Sequence, residues 1–261
     1  MSRTLHSSRL GLVLSATGLL AACASAPAPR MAALSSPPAR RAHAAYNRSY
    51  VVHGRRYRVL PACAGYEQRG IASWYGPGFN GHRTSTGEVY NMYGLTAASK
   101  VLPLPCWVRV TNLRNGRQVV VKVNDRGPFV ANRIIDLSYA AARRLHMVGT
   151  GTAIVELQAI DPGRSAANPP PPRAETRGAP SPRLFLQVGA FASQAHAAHL
   201  ATALKDLGFG PVMVDPLLRA SKRTLYTVRL GPLADVGALD AATQKMSAVG
   251  IHGFRVRVRV E

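Results

Sequence analysis

Acidic residues are scarce. Twelve Asp and Glu stand against 33 Lys and Arg in 261 residues, and the first acid along the chain is Glu67. Cysteine is rarer still, at positions 23, 63 and 106 only. No Cys-His catalytic pair and no metal-ligand spacing is present, which removes the cysteine-based metal centres and thiol enzymes; no metal and no cofactor is expected. The shortage of acids leaves a formal charge of +21. Residues 1–65 hold nine Arg and no acid, so nearly half of that excess falls in a low-complexity leader. No nucleic-acid motif accompanies it, which argues against nucleic acid as a partner. The milder basicity of the rest suits an acidic polymer such as cell-wall glycan, with its lactyl and peptide carboxylates.

The N-terminal apolar run, "LGLVLSATGLLAA", is too short to span a bilayer as a mature helix and follows Arg3 and Arg9, as in an export signal. It ends at Leu20-Ala21-Ala22-Cys23, which resembles a bacterial lipoprotein signal: cleavage after residue 22, lipid on Cys23. Several acyl chains would anchor the chain stably to a membrane. Ala24 in place of Asp favours the outer membrane in the lipoproteins it resembles, facing the periplasm. With Cys23 acylated, Cys63 and Cys106 remain. In an oxidising compartment they are expected to form a disulfide contributing about 4 kcal/mol by the chain-entropy model, against the alternative of two separate buried thiols.

Residues 23–65 are rich in Ala, Pro, Ser and Arg without sustained period and read as a flexible tether. Residues 161–183, with their PPPP core, read as a linker containing a stiff extended spacer. Two folded units remain, 66–160 and 184–261. The first looks mainly β. "GIASWYG" is a short strand, and "CWVRVTNL" and "VVVKVN" alternate on either side of Asn115-Gly116, a hairpin signal that asks for positive φ at both residues. "IIDLSYAAARRLHM" changes to helical period with Ser138 as N-cap, and "TAIVELQAI" is a closing strand, the whole suggesting a compact barrel. The second unit reads β-α-β-β-α-β, with Ser193 and Asp235 as caps, Leu200, Leu204 and Leu207 as one apolar helix face, and Gly208 as the stop. Its last strand, "FRVRVRV", puts valines on one face and arginines on the other. His196 and His199 belong to a solvated helix face, and "GTGT" at 149–152 lacks the context of a dinucleotide loop.

The strand "VVVKVNDRGPF", Val119 to Phe129, ends on a carboxylate at the lip of a turn. Together with "ASWYGPGFNGHRTSTGEVYNMYGLTAASK" before it and "RIIDLSYAAARRL" after it, this stretch resembles the six-stranded double-psi β-barrel of the rare lipoprotein A family, septal-ring-associated lytic transglycosylases. "LFLQVGAFAS" and the rest of residues 184–261 resemble the SPOR domain, a peptidoglycan-binding module. The resemblance implies cleavage between N-acetylmuramic acid and N-acetylglucosamine by attack of the muramic 6-hydroxyl on its own anomeric carbon, leaving a 1,6-anhydro end. It also implies a place at the division septum, with cell-division proteins as partners, and a preference for glycan stripped of stem peptides. Such chemistry needs an acid kept protonated by a poorly solvated site. The resemblance makes Asp125 the acid/base and Glu88 its partner, with Tyr75, Ser99 and Arg126 as substrate contacts. Gln187 and Ser193 are further substrate contacts from the SPOR match, and Tyr226 and Arg229 from a strand able to present them. Asp136 matches the family too, but its place before Ser138 suits helix capping better.

The sequence departs from the family at two places. Ser99 stands where the family usually has His in "TAAHK", and Asn91 where Asp often follows "GEVY". Serine cannot titrate near neutral pH, so a proton relay through position 99 is lost. His82 reads as an exposed loop histidine. The second expectation, therefore, is a glycan-binding septal lipoprotein whose barrel grips without cutting.

Overall fold

The computed structural model describes residues 44–161, 182–218 and 223–260. The export signal with Cys23, the greater part of the tether and nearly all of the Pro-rich linker lie outside these. Among the described residues no helix is long and apolar enough to cross a membrane.

Six strands close a barrel: β3 (Glu67–Trp74), β4 (Thr96–Ala98), β5 (Cys106–Asn112), β6 (Gln118–Asp125), β7 (Arg133–Leu137) and β8 (Thr152–Ala159). Their order around it is β3-β7-β4-β6-β5-β8, with β3/β7 and β4/β6 parallel and the other pairs antiparallel. The alternation read from the sequence fills its interior. Val108 and Val110 of β5, Val119, Val121 and Val123 of β6, Ile135 and Leu137 of β7 and Val155 and Leu157 of β8 form one buried cluster. The intervening residues of β7, Ile134 and Asp136, therefore face the other way. Helix α1 (Tyr139–Arg144) is capped by Ser138, whose Oγ accepts from Ala141 N at 3.2 Å, so Asp136 is a strand residue and not a cap.

The β5–β6 hairpin sits where Asn115-Gly116 placed it, but the turn is different. Asn112 N donates to Arg117 O across a four-residue loop, and only Gly116 has positive φ. The two-residue turn with positive φ at both positions occurs instead at His53-Gly54, between β1 (Tyr50–Val52) and β2 (Arg55–Tyr57). That hairpin corrects the tether: its C-terminal part, from residue 44 on, is structured and clasped to the barrel. Tyr50 Oη donates to Lys100 O, Asn47 exchanges two hydrogen bonds with the Leu104 backbone, and Leu60 N donates to Val101 O. Cys63 and Cys106 are joined by a disulfide, Cα atoms 6.1 Å apart, tying this clasp to β5.

The second unit is β9 (Arg183–Phe191), α2 (Gln194–Asp206), β10 (Val212–Leu218), β11 (Thr224–Leu233), α3 (Val236–Ala248) and β12 (Arg255–Arg259), the β-α-β-β-α-β order read from sequence. Its antiparallel sheet runs β10-β11-β9-β12. Both helices cover the face carrying Leu186, Val228 and Leu230. The helix α2 stripe is Ala197, Ala201 and Leu204 with Leu200 at its edge; Leu207 lies past the helix end, 46% exposed. The two units touch. Arg133 of β7 grips Asp240 of α3 with both terminal nitrogens, at 3.1 and 2.5 Å, and Asn132 donates to Asp240 and Thr243.

Candidate active site

The barrel topology assembles acids that are far apart in the chain. Ala98 of β4 is the register partner of Asp125 on β6 and of Asp136 on β7, and Ser73 of β3 is the partner of Asp136. Four neighbouring strands thus present Ser73, Asp136, Ala98 and Asp125 side by side. With strands about 4.8 Å apart, the two aspartate backbones are on the order of 10 Å from each other. Tyr75, just past β3, closes the row: its hydroxyl donates to Asp125 Oδ2 at 3.5 Å, and its ring packs on Tyr90 (4.9 Å) and on exposed Phe79 (5.8 Å).

Asp125 Oδ1 is held by three donors: Ser85 N at 2.8 Å, Ser85 Oγ at 2.6 Å and Arg126 N at 2.7 Å. This matches an oxygen that only accepts, and it leaves Oδ2 to Tyr75. The loop that brings Ser85 also carries Glu88. It doubles back through Gly87, at φ 87°, with Thr84 N bonded to Glu88 O and Gly87 N to Thr84 O. Glu88 is tied to β6 through Lys122 Nζ and, at 2.8 Å, Asn124 Nδ2. Burial acts to raise its pKa, but those two hydrogen bonds and the Lys122 charge prevail and hold the carboxyl below its ordinary value. Glu88 is therefore an ionised brace, not a proton donor.

The carboxyl whose hold on its proton is strengthened is Asp136. Its pKa rises to about 6, chiefly through burial; the Ser73 hydrogen bond and Arg133 oppose the rise, and the Asp125 charge adds to it. Its Oδ1 is buried without a hydrogen-bond partner. Burial, followed by the charges of Asp125 and Asp136, also pushes the Tyr75 hydroxyl well up.

Two of the residues picked from the sequence lie elsewhere. Ser99 is fully buried; its Oγ accepts from Val101 N and Leu102 N, closing the turn after β4, and only its backbone meets Asp125, through Ser99 N to Asp125 O. Arg126 turns to the N-terminal clasp, as strand alternation allows. Its guanidinium donates to Tyr46 O, Ser99 O, Leu102 O and Asn47 Oδ1, which makes it the clamp on the N-terminal clasp. On the second unit, Gln187 and Arg229 are register partners on the sheet face without helices, joined by Arg257, which donates to Gln187, and by Asp215, which pairs with Arg229. Ser193 instead caps α2, and Tyr226 packs against the helix-side core. His82 and Asn91 are exposed; Asn91 Oδ1 closes a local turn on Tyr93 N. No cluster of three or more His, Cys, Asp or Glu suited to a metal ion occurs among the described residues.

Sequence reasoning ranked Asp136 too low and missed Ser73, Ser85 and Asn124. For Asp136 a signal existed, an acid at the outward position of "IIDL" between two apolar inward ones. For Ser85 there was none, because its role arises from how the 83–89 loop folds onto β6.

The class of domain follows from comparison with known proteins. Residues 67–157 match the family model described as lytic transglycolase, and residues 180–257 match the SPOR domain. The chain is 45% identical over 198 residues to "Endolytic peptidoglycan transglycosylase RlpA" of Neisseria meningitidis serogroup A, covering 75% of this chain and 78% of that protein. It is 36% identical over 252 residues to the protein of the same name from Pseudomonas aeruginosa, covering 77% and 73%. The solved RlpA SPOR domain of Pseudomonas aeruginosa is similar at 27% identity and a TM-score of 0.27, covering 28% of this chain and 96% of that one. The chain belongs to the RlpA family of endolytic peptidoglycan transglycosylases.

Proposed function

We propose that this chain is a lytic transglycosylase that cuts the bond between N-acetylmuramic acid and N-acetylglucosamine in peptidoglycan, with Asp136 as the acid and Asp125 as the base. The observation that carries the reading is a carboxyl with a pKa near 6 set two strands from a second carboxylate, in the barrel of this family. As the bond from C1 to the leaving O4 breaks, O4 takes the Asp136 proton. The muramic 6-hydroxyl oxygen closes on C1, and its proton goes to Asp125 Oδ2. No water is consumed. Asp125 now holds the proton that Asp136 gave up, and its return to Asp136, past the Tyr75 hydroxyl that lies against Asp125, resets the site. Negative Asp125 and Glu88 also oppose the positive charge that develops on the sugar ring.

The sheet face with Gln187 and Arg257, where Arg229 is buried and paired with Asp215, serves as the glycan platform of the SPOR unit, and holding the strand there raises its local concentration at the barrel. The disulfide fits an exported, periplasmic protein. A lipid on Cys23 would hold it to the outer membrane, and the family resemblance supports a role at the septum alongside cell-division proteins.

The test is digestion of purified sacculi by the exported protein, with product masses measured. Release of muropeptides ending in 1,6-anhydro sugar, abolished by Asp136→Asn and by Asp125→Asn, is expected. Retention on sacculi without release would leave the glycan-binding lipoprotein reading and refute the enzyme.

A further inference from the structure

One guanidinium connects the acid of the barrel to a helix of the second unit. Arg133 opens β7, three residues before Asp136, and is 8% exposed. Its two terminal nitrogens donate to the two carboxylate oxygens of Asp240 on α3, at 3.1 and 2.5 Å, a forked pairing that fixes direction as well as distance. Neighbouring contacts hold the pair in place. Asn132, left-handed at φ 64°, donates to Asp240 Oδ1 and to Thr243 Oγ1. Ile71, the β3 register partner of Arg133, is fully buried and belongs to the apolar core of the second unit. The second unit is therefore seated on the strand that carries Asp136.

What this seating does follows from charge. Arg133 lies within the field of Asp136 and favours its ionised form. An unpaired guanidinium there would help to strip the proton, and a carboxylate clamped to it offsets that pull. The other titratable groups about Asp136 are Asp125 on β6, Tyr75 just past β3 and Tyr90 on the loop before β4. Strand β4, Thr96–Ala98, carries none, and α1 turns Arg143 to the ring of Tyr139. About Arg133 stand Asp240 and Lys100, whose Nζ donates to Arg133 O at 2.6 Å.

We propose that Asp240 is a positioning residue for the barrel's reaction: by holding and neutralising Arg133 it lets Asp136 keep its proton, so the second unit takes part in catalysis as well as in binding. This role rests on the reading of Asp136 as the acid given above. Three strand residues span about 10 Å, and one charge at that distance in partly aqueous surroundings moves a pKa by about half a unit. Asp240 is 41% exposed, so solvent already screens part of its charge and no larger effect is expected.

The experiment follows kcat/KM against pH for release of 1,6-anhydro ends from solubilised glycan strands by the full chain and its variants. Asp240→Asn takes the counter-charge from Arg133. The decline above pH 6 should then begin about half a unit lower, leaving activity about threefold below wild type at pH 8 and equal to it at pH 4.5. Arg133→Gln removes the cation and keeps a hydrogen-bond donor for Asp240. Its decline should begin about half a unit higher, with about threefold more activity than wild type at pH 8. Asp240→Glu keeps the charge and should follow wild type. The two partners of one ion pair thus move the profile in opposite directions, which a mere loosening of the two units cannot do. Retention on sacculi should be the same for all, because α3 covers the sheet face opposite the glycan platform. Thermal melts report folding; should Arg133→Gln fail to fold, the comparison of Asp240→Asn with Asp240→Glu still decides. Variants that lose activity equally at every pH, or whose decline begins where that of wild type does, overturn the role of Asp240 and leave the acid reading standing. A wild type that forms no anhydro ends at any pH overturns the acid reading, and this role with it.

Discussion

Replacing Asp136 by Asn should stabilise the protein while stopping catalysis, and the stabilisation should depend on pH in a way that can be worked out beforehand. In the folded chain the Asp136 pKa moves from 3.8 to about 6. At roughly 1.4 kcal/mol per unit, that shift amounts to about 3 kcal/mol. The sign follows from proton counting. Between the two values the folded state holds a proton that the unfolded state has released, so folding loses stability as pH rises through this window. Below about pH 4 both states are protonated and the penalty is absent; above about pH 6 it is fully present. Asparagine fills the same space and cannot ionise, so it escapes the penalty. Its own packing and hydrogen-bonding effects are the same at every pH and cancel when two pH values are compared. The advantage of Asp136→Asn over wild type should therefore grow by about 2–3 kcal/mol between pH 4 and pH 8. In a folded body of this size that is about 5–10 °C in Tm. Thermal melts of both proteins at the two pH values give the answer. An equal Tm difference at pH 4 and pH 8 would mean that the carboxyl does not titrate between them, and the acid assignment would fall with it. The same shift sets the activity profile. At pH 7 about one molecule in eleven keeps the Asp136 proton, against roughly one in 1,600 for an ordinary aspartate, so kcat/KM should decline tenfold per pH unit above pH 6.

Other expectations are as direct. Ser85→Ala removes a 2.6 Å hydrogen bond to Asp125 Oδ1 and should lower kcat by about tenfold, as expected for a hydrogen bond to a charged group, with folding little changed; unchanged kinetics would show that the two backbone donors suffice. Glu88→Gln should change stability by less than about 1 kcal/mol, because its partner Lys122 meets it at a half-exposed site. Because the Glu88 pKa is lowered on folding, wild type alone should lose that small contribution as pH falls through the folded value, which acid titration of both proteins would reveal. Reducing the Cys63–Cys106 bridge should cost about 2–4 kcal/mol in denaturant unfolding; no shift in midpoint would mean that the clasp is held by Arg126 and Asn47 without it. Gly87→Ala places a side chain at φ 87° and should cost about 1–2 kcal/mol, with a fall in activity, because the turn it strains carries both Ser85 and Glu88.

Much of the fold was legible because its signals are periodic. The valines of β5 and β6 and the caps Ser138, Ser193 and Asp235 each gave their element a local reason. The clasp was missed because three-residue strands in an Arg-rich, Pro-rich leader show almost no period; its one sharp signal, His53-Gly54, was passed over for Asn115-Gly116. Of the site residues, Asp125 and Tyr75 are brought together and Glu88 is tied to Lys122 and Asn124 beside them on β6, whereas Ser99 and Arg126 adjoin Asp125 in space or sequence yet turn their side chains elsewhere. Proximity along a motif does not say which way a side chain faces, and a register shift between Ala97 and Ala98 removes the simple parity that would have told.

That register shift also explains why two acids meet here at all. In the parallel pairs β3/β7 and β4/β6, residues distant in sequence come level without a hairpin between them, and β4 is only three residues long. A longer β4 would continue the ladder past Ala98 and cover the row with side chains. As it is, the strand stops at Ala98, a small buried residue, and the chain turns away through Ser99, whose hydroxyl is consumed by two nearby backbone N–H groups, those of Val101 and Leu102. Gly127, at φ 137°, lets the chain leave Asp125 at once, with only Ala98 near the place where its own side chain would be. Both neighbours of the row are therefore cleared, and what remains level with Ala98 is Asp125 on one side and Asp136, with its raised pKa, on the other. The difference between these two aspartates comes from their strands: Asp125 ends β6 and is met by three donors from Ser85 and Arg126, while Asp136 lies within β7, between strands, where its Oδ1 finds no donor. Identical side chains are given different surroundings by where their strands stop.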